Sequence, residues 1–269
     1  VDIEAGHVHT IKIDVGEAQQ VTGEISDDGT YIVSGTRTEP VTITGGNPTI
    51  YLENADINIT NDNHAINIQN GNPTIYISGT NNISVDEDTY GAGIYVAENS
   101  SVTITGTSED DVLVVTGGSG GSGIGGYTSN NTWESHPCGN ITIENITVRA
   151  TSNKPEVTGG FAAAIGACGD QTVESITISN AVVYANSGGN GDYGGAGIGG
   201  GVSEYSGFGQ REFDISIVDS EIHVSRGCPY ASYIGAGGTR FEQTNYKIIP
   251  SAKITNSTIY NESGAVITQ

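Results

Sequence analysis

Residues 46–51 read Gly46-Asn47-Pro48-Thr49-Ile50-Tyr51, and residues 71–76 repeat the same six letters 25 positions later. Beyond that point the wording loosens while the pattern persists. Short alternating segments recur at Val102-Thr103-Ile104, Ile141-Thr142-Ile143, Ile176-Thr177-Ile178 and Ile215-Ser216-Ile217. A second series keeps step with them: Gly123-Ile124-Gly125-Gly126, Ala164-Ile165-Gly166-Ala167, Gly197-Ile198-Gly199-Gly200 and Tyr233-Ile234-Gly235-Ala236. Self-similarity at a recurring interval is the mark of an architecture built by stacking one supersecondary unit.

Each unit holds three short runs in which Ile, Val or Leu alternates with Thr, Asn, Ser or Tyr. The unit opening at Asn47 runs Thr49–Leu52, Ile57–Ile59 and Ala65–Ile68; the next runs Thr74–Ile77, Ile83–Val85 and Gly93–Val96. Alternation with a period of two predicts a strand with one buried face. The apolar members point inward and stack on their equivalents, about 4.8 Å away in the next rung. Later units open near Ser101, Asn140, Ser175, Asp214 and Ser251. Taking Ile50, Ile75, Val102, Ile141, Ile176 and Ile215 as equivalent gives spacings from 25 to 39 residues. Three strands and their turns need only the shortest of these, so the surplus is expected as loops at the corners.

These features predict an all-β, right-handed parallel β-helix of about seven coils, a rod roughly 35 Å long by rung spacing. Residues 27–269 form the helix, opening at the turn Asp27-Asp28-Gly29; the final coil, Lys253–Ile267, is short enough to act as a cap. Residues 1–26 alternate without repeating, as in Val1-Asp2-Ile3-Glu4, and read as an N-terminal β cap or the end of a preceding β domain.

The Gly-Ile-Gly-Gly runs admit two readings. Gly weakens a strand unless a backbone must come close or φ must be positive. In the structural reading, Ile124, Ile165, Ile198 and Ile234 fill the core while their glycines let the chain turn. In the functional reading, the glycines leave a bare strip for a ligand.

Composition narrows the function. The 269 residues include 40 Gly and no Met, with 31 acidic against 9 basic side chains and a formal charge of -22. Such a surface repels nucleic acid and anionic membranes. No apolar run approaches the roughly 20 residues that span a bilayer, so no membrane insertion is expected. Three cysteines are too few for a disulfide framework. Cys138 and Cys168 fall near one corner of adjacent coils, where they form either a bridge or two stacked free thiols.

The strings "TIYLENADIN" (49–58), "IYISGTNNIS" (75–84), "GAGIYVAENSSVTITG" (91–106), "LVVTGGSGGSGIGG" (113–126), "CGNITIENITVRA" (138–150) and "GAGIGGG" (195–201) resemble a group of gut-bacterial surface proteins. That group has the pectin-lyase-like right-handed parallel β-helix and is often labelled carbohydrate-binding. The resemblance covers residues 29–269 and implies an extracellular or cell-surface setting. The opening stretch "VDIEAGHVHTIKIDV" is similar to the last strands of fimbrillin-like lipoprotein domains of Bacteroidales. Fold alone does not fix function, since one fold hosts many activities.

Three functions follow as expectations. The leading one is a non-catalytic module that binds carbohydrate or a host ligand through corner loops. Aromatics cluster in the loops after the Gly-Ile-Gly-Gly runs: Tyr127 and Trp133 with Glu134 and His136, then Tyr205 and Phe208, then Phe241 and Tyr246. Sugar rings stack on exposed aromatics held by a rigid scaffold. The bland reading folds the same rings back onto the rod. The second function is a polysaccharide hydrolase or lyase, which needs converging carboxylates or a base beside calcium. The acidic runs 86–88 and 109–111 sit in turns and read first as solvated. Asp86, Asp88, Asp110 and Asp111 are the calcium candidates among them, without EF-hand spacing. No other cofactor is expected, and no catalytic residue is singled out. His7 and His9 share one strand face and could hold a metal or be solvated; His64, His136 and His223 are scattered. The third function is a structural or adhesive stalk.

Overall fold

A computed structural model describes residues 18–129, 136–154, 160–203, 213–241 and 246–268. The regular elements among these residues are all strands. Each repeat contributes one strand to each of three parallel stacks. The first stack runs Thr74–Ser78, Ser101–Gly106, Cys138–Glu144, Val173–Ser179, Ile215–Val218 and Lys253–Thr255. The second runs Thr80–Val85, Val112–Ser119, Thr147–Asn153, Val182–Asn186, Glu221–Ser225 and Thr258–Tyr260. Both grow from Thr49–Ile59, whose first half pairs with Thr74–Ser78 and second half with Thr80–Val85. One 15-stranded sheet therefore carries both stacks. The third stack is a separate seven-stranded sheet, from Val41–Ile43 through Ile66–Ile68, Ile94–Val96, Ile124–Gly125, Ile165–Gly166 and Ile198–Gly199 to Ile234–Gly235.

The register turns sequence alternation into continuous columns. In the first stack Ile50, Ile75, Ile104, Ile143, Ile178 and Ile217 align, each with no exposed surface. Leu113, Val148, Val183 and Ile222 align in the second, and Val41, Ile66, Ile94, Ile124, Ile165, Ile198 and Ile234 in the third. Burying each such side chain contributes about 1.5–3 kcal/mol against leaving it exposed. The alignment corrects one sequence expectation. Ile75 pairs with Ile104, not Val102, whose own neighbour in the next repeat is Ile141. The slip is two residues, so the inward face is unchanged.

Between the first and second strands the chain turns through one residue with positive φ. Asn54, Asn145, Asn180, Asp219 and Asn256 take φ values of 49, 56, 47, 49 and 48°, and Gly35 and Gly79 take 69 and 73°. Asn and Asp tolerate this left-handed region better than other residues with a Cβ. The Asn180 side-chain amide donates to Asn145 Oδ1 at 2.9 Å, stitching one corner to the next. At the remaining corner the insertion Thr107–Asp111 replaces this residue. Asp111 there accepts hydrogen bonds from the backbone N–H groups of Gly79, Thr107 and Ser108 at 2.6, 2.7 and 2.6 Å.

The glycine runs follow the structural reading. Gly125, Gly166, Gly199 and Gly235 have φ of 134, 129, 128 and 138°, beyond what other residues adopt. The N–H groups of Ser122, Ala163, Ala196 and Ser232 donate to the carbonyls of Gly126, Ala167, Gly200 and Ala236 at 2.9–3.0 Å. Each two-residue strand is thus pinched between its own flanks. These glycines are buried, so no bare strip faces a ligand.

At the N-terminal side, Gln19–Gln20 pairs in parallel with Tyr31–Ile32, and Ile25 bridges to Ile43. Residues 19–25 therefore extend the same sheets as the repeats; residues 1–17, with His7 and His9, lie outside the described residues.

A Cβ on Gly166 would stand 2.0 Å from the Gly199 carbonyl oxygen, whereas one on Gly191, at φ 90°, meets nothing within 4 Å. Gly166→Ala is expected to cost about 3 kcal/mol or more, from overpacking plus backbone strain. Gly191→Ala should cost only the strain, about 1–2 kcal/mol. Urea unfolding of the two variants beside the parent protein measures the difference. Equal losses would mean that close packing between repeats is not what demands the glycine.

Candidate functional site

The inserted loops on either side of the third stack pair with each other across repeats. Gly160–Phe161 runs antiparallel to Val202–Ser203, and Tyr193–Gly194 antiparallel to Gly238–Thr239. The Phe161 ring is buried and stacks on Tyr193 at 5.9 Å and 10°. Of the remaining sequence-predicted aromatics, Phe241 closely follows a flange strand, and Tyr246 lies beside the last strand of the third stack. Phe241 is 70% exposed and Tyr246 44% exposed. Neither is loosely placed. The Arg240 guanidinium lies 4.6 Å from the Phe241 ring centre and pairs with Asp192 at 2.9 Å, and Thr239 Oγ1 accepts the Phe241 N–H. The Tyr246 carbonyl accepts the Ser232 hydroxyl at 2.8 Å. Trp133, Glu134, Tyr205 and Phe208 lie outside the described residues.

Tyr127 and His136 behave differently. They stack on each other at 4.5 Å and 10°, and Tyr127 also packs edge-on against His64 and Tyr95 at 4.3 and 5.1 Å. The four rings come from three repeats and cover the outer side of the third stack. His64 is buried, and its Nδ1 accepts the Ala92 N–H at 3.0 Å, which leaves the proton on Nε2. Burial, with a smaller contribution from His136, lowers its pKa to about 3. Burial likewise pushes the Tyr95 phenol up to about 12. Here the packing reading of the aromatics is the one the geometry follows.

The acidic turns are structural where their partners are visible. Asp86 Oδ1 accepts the Asp88 N–H at 3.0 Å, closing a local turn. Asp111 is buried; desolvation raises its pKa, and the bonds from Gly79, Thr107 and Ser108 together outweigh that and hold it low. Asp110 is exposed. Among the described residues no three His, Cys, Asp or Glu groups are placed to hold a metal ion.

The three cysteines are free and buried, which corrects the bridged alternative for Cys138 and Cys168. Cys138 stands in register with Val173 of the next repeat, not with Cys168. Cys168 donates to the Gly120 carbonyl at 2.9 Å and lies 2.8 Å from Thr128 Oγ1. Burial raises the pKa of both thiols, that of Cys168 to about 12.

One group of outward residues escapes a reading that looks only for buried faces. Arg149, Tyr184, His223 and Tyr260 align on the outer face of the second stack. The Arg149 guanidinium sits 4.1 Å over Tyr184; Tyr184 stacks on His223 at 4.5 Å and 9°, and His223 on Tyr260 at 4.9 Å and 15°. A signal existed. Their spacings of 35, 39 and 37 equal those of Ile143, Ile178, Ile217 and Ile254 in the first stack.

His64 gives the fold a pH dependence with a definite sign. Its native pKa lies below the ordinary value of 6.5, so the unfolded chain binds the extra proton. The stabilisation is complete above about pH 6.5. It is lost as pH falls toward about 3, at up to about 1.4 kcal/mol per pH unit. His64→Gln should remove that slope from urea midpoints measured across this window. An unchanged slope would place the titration elsewhere.

Comparison of the chain with protein-family models, with curated proteins and with solved structures finds no match.

Proposed function

We propose that the chain is a right-handed parallel β-helix of the pectin-lyase-like kind, acting outside the cell or on its surface. In this reading it binds carbohydrate, or a glycan-bearing host ligand, without cleaving it. The solenoid draws support from the three stacks, each gaining one parallel strand per repeat in fixed order. Short parallel strands joined by right-handed crossovers satisfy that order with the fewest long connections.

The observation that carries the binding reading is the exposure of Phe241, beside the flange, and of Tyr246, beside the last strand of the third stack. Large aromatics usually bury, so two exposed ones a few residues apart mark a contact surface. The guanidinium and carboxylate of Arg240 and Asp192 flank Phe241 and offer charged hydrogen-bond partners to sugar hydroxyls.

Retention of the protein on a glycan array, followed by incubation of each hit in solution, tests the reading. The hit should be held and recovered intact. Phe241→Ala with Tyr246→Ala should weaken retention about tenfold, as loss of one or two stacking contacts implies. Cleaved glycan would replace this reading with a polysaccharide-degrading enzyme. Retention that survives both substitutions would remove the flange from the site.

A further inference from the structure

A second polar site is lined by residues other than those of the flange strands. A cleft of about 420 Å³ opens on the outer face of the second stack, beside the ring column. Its floor is Asn186, His223 and Ser225, from two adjacent strands; its wall is the turn carrying Asn261, Glu262 and Ser263. The volume falls within the roughly 300–1,000 Å³ of small-molecule sites.

Every wall of this cleft is fixed from behind. His223 is clamped between Tyr184 and Tyr260, and its Nε2 donates to Glu221 Oε1 at 2.6 Å. In the neutral ring Nδ1 is then an acceptor. Ser225 donates to Asn186 Oδ1 at 3.0 Å, which orients that amide. Asn261 Oδ1 gathers the Ser263 N–H, the Ser263 hydroxyl and the Ala265 N–H at 3.0, 2.7 and 2.9 Å, so the turn is tightly knit. Glu262 accepts the Tyr233 hydroxyl at 3.1 Å, and the Tyr233 ring is in turn covered by Arg226 at 4.6 Å.

We infer that this cleft is a binding site for a neutral sugar unit of a glycan, a site separate from the flange. Amide, imidazole, hydroxyl and carboxylate groups converge there. That set supplies both donors and acceptors, as adjacent sugar hydroxyls require, and it is pre-organised, so little ordering cost falls on binding. Glu221 and Glu262, on a chain of net charge -22, oppose a uronic or sialic acid. The choice of a saccharide rests on the proposed glycan-binding function; the place and the charge selection rest on the cleft alone.

The test follows the His223 ring proton resonances by NMR, assigned with His223→Gln among only 5 histidines. The probes are lactose, maltose and N,N′-diacetylchitobiose, with galacturonic acid dimer as the charged comparison. At least one neutral probe should shift His223 saturably, and the acidic dimer should shift it at least tenfold more weakly. Asn186→Ala should weaken the neutral response about tenfold, while Phe241→Ala with Tyr246→Ala should reduce array retention instead. If no neutral probe moves His223, or the acidic dimer moves it equally, the cleft site is overturned. Array retention then decides separately whether glycan binding at the flange stands. If no glycan is retained but a neutral probe still saturates His223, the flange reading falls and the cleft site is upheld.

Discussion

Parallel backbone pairing in register, one repeat upon the next, is the constraint on which this protein depends. It places each side chain about 4.8 Å from its counterpart. A position is therefore a whole column, and whatever is costly once is costly in every repeat. Inward columns must be apolar, and Ile is used along them because its β-branched side chain packs well on itself. Asn81 is the informative exception. It occupies an inward position and is fully buried, and it survives because Oδ1 takes the Ala55 N–H at 2.7 Å while its amide donates to Ser78 at 3.1 Å. Both ends of this inward polar side chain are thus satisfied.

The same constraint decides where the chain can vary. Strands that must register cannot lengthen, so extra residues leave at corners, as the interval between equivalent isoleucines growing from 25 to 39 residues reflects. On two sides of the third stack these insertions find each other and form antiparallel pairs, a geometry absent from the stacks themselves. The buried glycines permit this. With each two-residue strand pinched between its flanks, incoming and outgoing loops emerge side by side. The glycine run is thus what makes a flange buildable.

How far the sequence could be read follows from which columns announce themselves. Inward columns are legible because Ile and Val alternate with polar residues over many repeats. Their exact register is less so: Val102 and Ile104 are both inward, and either fits opposite Ile75 by hydrophobicity. Only the backbone pairing chooses. The corner residues Asn54, Asn145, Asn180, Asp219 and Asn256 carry a clear signal, an Asn or Asp between two alternating runs, but that signal appears only when two faces are distinguished within one repeat. Outward columns hide best. Arg149, Tyr184, His223 and Tyr260 are of three residue types, and what unites them is planarity, which hydropathy does not register. Among the loop aromatics, Tyr127 and Phe241 look alike in sequence. One meets His64 and Tyr95 from neighbouring repeats and packs against the outer side of the third stack; the other lies against Arg240.

Charge supplies the last constraint on what such a surface can hold. Two Arg or Lys ion pairs with a carboxylate are seen among the described residues, both at the surface, where such pairs contribute about 0–1 kcal/mol. Arg149, Arg226 and Arg240 are laid over aromatic rings, and among the described residues only Arg240 of these also pairs with a carboxylate. The fold is therefore held by apolar columns and backbone pairing, while most of the 31 acidic groups stay uncompensated. Their mutual repulsion is screened beyond about 8 Å at physiological salt, so it acts mainly within a loop or cleft. An anionic partner would meet that repulsion at the place where it must lose water. A polyhydroxylated neutral partner would not, and each carboxylate it reached would accept a charge-assisted hydrogen bond. On the proposed reading, an acidic, aromatic-bearing surface would discriminate against anionic partners before any individual contact is counted, and would leave stacking and hydroxyl recognition to decide affinity.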